Sequence, residues 1–126
     1  MSRELVAAAL EGAVGVLAEQ GWRQGPRPTV RDIRLDPVDM GGAILIAATD
    51  LAVGDTSGVY TEAAYALAEW INENPDAGPV AWRDPSSVVT GVDAWNDRPG
   101  RTLAEVVHAL YGAARFVYPA RERNAA

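Results

Sequence analysis

The chain has one histidine, His108, and histidine is the side chain most often used for proton transfer near neutral pH. Helical spacing puts Glu105, Gly112 and Arg115 on its side, away from the apolar stripe of its helix. No Ser or Asp stands at a recognisable distance from it along the chain, so it reads as a solvated surface residue. With no cysteine there is no thiolate nucleophile, disulfide framework or Cys-metal site, and one histidine makes no metal cluster of the usual kind. Seventeen carboxylates give many accidental pairs. Asp36 with Asp39 and Asp93 with Asp97 are near neighbours, but Asp36 suits a helix cap and nothing marks either pair as an acid/base couple. Gly12-Ala13-Val14-Gly15 lies within a helical pattern, follows no strand and lacks the further glycine of a nucleotide loop. It reads as small residues that let another helix approach. No catalytic residue, metal or cofactor is assigned.

The densest segment is Trp95-Asn96-Asp97-Arg98-Pro99-Gly100-Arg101-Thr102-Leu103-Ala104-Glu105. Pro99-Gly100 suits the centre of a type II turn, and Thr102 with Glu105 forms a capping box for the last helix. One reading makes Asn96, Asp97, Arg101 and Thr102 a polar pocket beside Trp95, at a helix N-terminus able to hold an anion. The favoured reading is a helix-turn-helix corner, in which Trp95 packs, Asn96 or Asp97 satisfies backbone groups, and Arg101 pairs with Asp97.

Trp95-Asn96-Asp97, Gly100-Arg101-Thr102 and Glu105-Val106, together with Gly21-Trp22 after the first helix, resemble the two specific stretches of a small actinobacterial and actinophage family of unknown function. The resemblance implies a fold and a host range without supplying an activity.

Two further sets of residues suit contact with a partner. His108, Tyr111, Arg115 and Tyr118 follow at intervals of three and four on the less apolar side of the last helix, a mixture of aromatic and arginine side chains that interfaces favour. Trp22 and Trp82, two of four tryptophans, fall in connecting segments, where each is either a core lid or a contact anchor.

At 126 residues the chain suits one domain with a single core. Hydrophobic content of 48% with 22% charge belongs to a globular chain. All eleven basic residues are arginine and are scattered, and the net charge is −6, which argues against a nucleic-acid backbone as partner. The opening Met1-Ser2-Arg3-Glu4 does not read as a signal peptide, and no run approaches the roughly 20 apolar residues of a membrane span. A cytoplasmic protein is expected.

The elements that must position these residues are helical. Val6, Leu10, Ala13, Val14 and Leu17 form one stripe over residues 3–20, with Ser2 as N-cap and Gly21 in the left-handed conformation after it. Asp36-Pro37 predicts the start of a second helix, with Asp36 capping. Its stretch Met40–Ala48 has no polar side chain, which predicts a central helix buried on all sides. A buried strand over 43–48 is the competing reading. A turn at 53–58 leads to a third helix ending at Asn74-Pro75, with Tyr60, Ala64, Leu67 and Ile71 inward and Glu62, Glu69 and Glu73 in water. Val88, Val92 and Trp95 line one side of a short fourth helix, although 88–92 is ambiguous with strand. The last helix runs over 103–117 with Leu103, Val106, Val107, Leu110, Ala114 and Val117 inward, and Pro119 stops it. Segments 27–35 and 79–92 stay open between strand, helix and loop. Val30, Ile33 and Leu35 could pair with Val80-Ala81-Trp82 as a small hairpin. The tail 119–126 is expected to fray.

The expectation is therefore one all-α domain, 1–126, of about five helices around a central apolar helix, with room for one small extended pair. The function it suggests is a non-catalytic interaction module that binds a host or phage protein or self-associates, without nucleic acid or membrane. The alternative is a small-molecule binder or small enzyme with its pocket at the Trp95–Thr102 corner.

Overall fold

The computed structural model describes residues 2–25, 36–51, 54–74, 76, 78–81 and 87–119. Five helices follow in order: α1 (Arg3–Gln20), α2 (Met40–Leu51), α3 (Thr56–Glu73), α4 (Val88–Asn96) and α5 (Leu103–Val117). No strand occurs among the described residues; the nearest thing is an isolated parallel bridge between Trp22 and Val38. The expected positions Val30, Ile33, Leu35 and Trp82, and the tail beyond 119, lie outside the described residues.

α1 begins where Ser2 Oγ accepts the Leu5 amide at 3.3 Å and buries Val6, Leu10, Ala13 and Leu17. Its close neighbour is α2, and Gly12 is what lets it in. A methyl group at Gly12 would lie 3.1 Å from Ala47 Cβ, tighter than ordinary packing. Gly21 ends α1 with φ 91° and ψ 157°. That is not the expected left-handed helical turn but the extended positive-φ region that glycine alone occupies comfortably. The difference matters, because an extended Gly21 lets its carbonyl accept the Val38 amide at 3.0 Å while Val38 O accepts the Arg23 amide at 3.0 Å.

That pairing corrects the start of α2. Asp36-Pro37 does not open the helix, since the backbone of Val38 is already committed to Gly21 and Arg23 and must be extended. The helix starts at Met40 with Asp39 as the capping side chain, Oδ1 accepting the Gly42 amide at 2.7 Å. α2 is central as expected: Met40, Ala43, Ile44, Ala47 and Ala48 are buried, and it packs against α1, α3 and α4. It is not buried on all sides. Leu45 is 37% exposed, and Thr49, one turn on, is exposed too. Three neighbouring helices cover most of a cylinder, and this side is the remainder.

α3 starts on Asp55, whose Oδ1 accepts the Gly58 amide at 3.1 Å. It buries Ala64, Leu67 and Ile71, leaving Glu62, Glu69 and Glu73 exposed. Asn72 reaches off its end to hold the connection to α4, donating Nδ2 to Val80 O at 3.0 Å and accepting the Val80 amide at 2.7 Å. The ambiguous stretch from Val88 is helix. Val88, Val92 and Trp95 point to one side at helical spacing and are 0%, 1% and 1% exposed, which a strand could not achieve with that pattern. α5 packs on α1 and α3 and buries Val106, Leu110 and Ala114. Leu103, expected inward, is 40% exposed because it lies in the first turn, beyond the reach of the neighbouring helices. Trp70 of α3 lies where a side chain at position 112 would stand, so only glycine fits at Gly112.

Candidate functional site

The two sequence stretches singled out for their specificity meet at one buried side chain. Asn96, the last residue of α4, is fully buried. Its Oδ1 accepts two bonds, from Trp22 Nε1 at 2.7 Å and from the Met40 amide at 3.1 Å. Its Nδ2 donates two, to Arg23 O at 3.2 Å and Asp97 Oδ1 at 2.9 Å. An amide side chain has two acceptor positions and two donors, so every one is used. Asp97 Oδ1 also accepts the Gly25 amide at 2.8 Å. Gln24 Nε2 donates to the carbonyls of Asn96 and Arg98 at 3.0 and 2.8 Å. The segment after α1, the N-terminus of α2 and the end of α4 are thereby joined through one residue.

On the other side of the turn, the Arg101 guanidinium lies 3.7 Å over the Trp95 ring. Its Nε donates to Trp95 O at 3.1 Å and its Nη1 to Glu105 Oε2 at 2.9 Å. The expected pairing of Arg101 with Asp97 does not form, because Asp97 has turned to Gly25 and Asn96. The capping box does form: Thr102 Oγ1 accepts the Glu105 amide at 3.2 Å, and Glu105 Oε1 accepts the Thr102 amide at 2.9 Å. The Thr102 amide first, and Arg101 after it, hold the Glu105 carboxyl below the usual range. Gly100 takes φ 87° and the Arg101 amide returns to Arg98 O at 3.1 Å, as a type II turn requires.

The last helix carries the other candidates. His108, Tyr111 and Arg115 are exposed on its outer side, Tyr111 at 42%. His108 meets the Trp70 ring edge-on, with centroids 5.3 Å apart. Tyr118 is half-buried against the core. Phe116, at 44% exposure, stands at the edge of an open groove of about 480 Å³ between α1, α3 and α5, with Arg3, Glu62, Tyr65 and Glu69 around it. Trp22 is half-buried and serves the Asn96 knot.

A family model described as a family of unknown function, DUF6197, matches residues 1–116, nearly the whole chain. The chain belongs to DUF6197. No curated protein and no solved structure matches it.

Sequence reasoning missed one cluster in this DUF6197 chain. Asp39 before α2, Tyr60 of α3 and Asp93 of α4 converge over Gly41. A methyl group at Gly41 would lie 2.7 Å from Asp93 Oδ1, 3.6 Å from the Tyr60 hydroxyl and 3.7 Å from Asp39 Oδ1. They surround an open cleft of about 190 Å³. Burial first, then the charges of Asp39 and Asp97, push the Asp93 carboxyl up to about 6. Burial first, then the charges of Asp93 and Asp39, push Tyr60 up to about 12. A carboxyl titrating there can hold or release a proton near neutral pH. The pairs that looked close, Asp36 with Asp39 and Asp93 with Asp97, gave no hint of the pair that forms between α2 and α4. The only local signal was Gly41-Gly42, two residues after Asp39, which marks space for neighbouring side chains. Among the described residues no three His, Cys, Asp or Glu side chains gather as a metal site, and no helix is long and apolar enough to cross a membrane.

Proposed function

We propose that this DUF6197 chain is a non-catalytic protein-interaction module whose contact face is the outer side of α5. The observation that carries the reading is Tyr111, 42% exposed, flanked one turn either side by the exposed His108 and Arg115. A tyrosine with an arginine and a second aromatic ring is the composition that protein contacts use. At the Trp95–Thr102 corner Asn96, Asp97, Thr102 and Glu105 are occupied with Trp22, one another and the backbone, which favours this class over a pocket built from those four. The occupant is a different protein rather than a second copy. Two chains of net charge −6 repel, and the face carries Arg115 beside Tyr111, so it suits a partner with acidic and apolar groups. The Gly21-Trp22 and Trp95-Asn96-Asp97 stretches and the all-arginine basic set support a small cytoplasmic accessory protein of an actinobacterium or its phage.

The test is affinity capture from actinobacterial lysate with the full chain, set beside Tyr111→Ala, Arg115→Glu and the distant Glu73→Ala. The expected result is a partner retained by the native chain and by Glu73→Ala and lost with both α5 variants, while light scattering reports a monomer. A captured set unchanged by either α5 substitution would make this face an ordinary solvated helix side.

A further inference from the structure

We propose a second site, independent of the α5 face: an oxyanion site between Arg98 and Arg101 beside Gly78, taking a phosphate-type group. It rests on a donor left over. The Arg101 side chain is only 5% exposed; Nε is bonded to Trp95 O and Nη1 to Glu105, yet Nη2 is buried with no acceptor among the described residues. Buried charged donors are almost always paired, because an unmet one forfeits its hydration without replacement. The second guanidinium reaches the same spot. A methyl group placed on Gly78 would lie 2.5 Å from Arg98 Nη1 and 3.9 Å from Arg101 Nη2. Arg98 is held there by donating Nη2 to Pro79 O at 3.1 Å, while the residue itself stays exposed.

Two guanidinium groups meet here, and Glu105, the carboxylate that Arg101 pairs with, is already shared among Arg101 Nη1, the Thr102 amide and the Thr102 hydroxyl. Asp97, next to Arg98, is exposed, with Oδ1 accepting the Gly25 amide and Asn96 Nδ2. The positive end of the α5 dipole begins just beyond, at Leu103. Two planar guanidinium forks near one point are the arrangement that recognises tetrahedral oxyanions, through paired N–H···O bonds that a monovalent chloride cannot reproduce. Gly78 leaves room for the Arg98 guanidinium, since a side chain there would collide with Nη1. In this arrangement Arg101 is the fixed seat, clamped on Trp95, and Arg98 is the arm at the exposed rim. It closes over the anion by exchanging its bond to Pro79 O.

The probe is inorganic phosphate at pH 7.5, added to the full chain against sodium chloride at matched ionic strength. Thermal unfolding and the ³¹P linewidth are the readouts. Phosphate is expected to raise the midpoint and broaden the line where chloride does neither. Arg98→Gln, at the exposed rim, is expected to weaken binding at least about tenfold, the loss of one charge-assisted contact. Arg101→Lys keeps the charge and loses the fork, and should bind as poorly; its fold is checked by circular dichroism. The distant Arg3→Gln should bind like the native chain. O-phosphoserine separates sources: equal affinity marks a free anion as the ligand, and tighter binding marks a phosphate carried on a larger molecule. An equal midpoint rise with chloride, or native-strength phosphate binding by Arg98→Gln, would overturn the proposal.

Discussion

Replacing Asp93 with Asn removes a charge and almost nothing else, and the Asp39–Tyr60–Asp93 cleft makes its effect calculable. The carboxyl titrates at about 6 in the folded chain against an ordinary 3.8, so folding favours the protonated form. Below 3.8 both states are protonated and the folded state bears no penalty. Between 3.8 and about 6 the unfolded chain ionises while the folded one resists, so stability falls with rising pH, and above about 6 the deficit stays constant. For a fully buried group that interval is worth about 3 kcal/mol. Asp93 is only half-buried, and screening by water reduces the figure to about 1 kcal/mol. Asn has no charge to lose, so Asp93→Asn should stabilise the protein by about 1 kcal/mol at pH 7.5, or about 3–5 °C in the unfolding midpoint for a chain of this length. At pH 4 the gain should shrink to a few tenths of a kcal/mol. Thermal unfolding followed by circular dichroism from pH 4 to 8, both proteins side by side in low salt, measures the difference. Titrations common to both cancel. A gap that does not vary with pH, or a variant less stable than the native chain at pH 7.5, would refute the reasoning, the latter by showing that the Asp93 charge is stabilised rather than repelled.

Asn96→Ala strips the acceptor from the Trp22 indole and the Met40 amide together, and should cost about 3 kcal/mol in urea unfolding, since each unmet buried donor costs about 1–3 kcal/mol; a loss below about 1 kcal/mol would show that the knot is dispensable. Ile44→Ala should cost about 2–5 kcal/mol, while Leu45→Ala on the open side of α2 should cost about 1 kcal/mol or less. Equal losses would contradict the orientation of that helix. Thr102→Ala should cost about 1 kcal/mol at neutral pH. Because the Glu105 carboxyl is held below 4.5, its part of the cap is present above that value and lost as pH falls through the folded-state pKa, so the Thr102→Ala penalty should diminish in acid; a penalty that grows there would be inconsistent with the capping box.

How much of this was legible depended on how local the cause was. The bounds of α1 and α5 follow from Ser2, Gly21, Thr102 and Glu105, signals confined to a few residues, and they were readable. The start of α2 was not. Asp36-Pro37 is a sound local signal, but Val38 answers to Gly21 and Arg23 far away in the chain, and that pairing outranked it. Leu45 was unreadable for a different reason: an apolar run without polar residues has no periodicity to say which side is left uncovered. At the Trp95–Thr102 corner the residues of the turn itself were visible in advance, and the capping box formed as expected, while Arg23, Gln24, Gly25 and Met40 were not foreseen as its partners. Which partner each one took was decided by three-dimensional proximity, so Arg101 paired with Glu105 and Asp97 with Gly25. The Asp39–Tyr60–Asp93 cluster draws on three separate elements and was hidden altogether.

The Asn96 knot has a consequence for the order in which the protein can be made. Trp22 and Asn96 are 74 residues apart in the chain. During synthesis α1, α2 and α3 emerge before the acceptor for the Trp22 indole and the Met40 amide exists. Until α4 arrives, the seam between the first two helices lacks its fastening, and their mutual packing is provisional. Completion is therefore a late, long-range event rather than a stepwise accretion, the kind of closure that slows folding. Trp22 itself would report the moment, since its fluorescence changes when the indole is drawn from water onto Asn96. A nascent chain halted after α3 would hold three helices and an unfinished tryptophan.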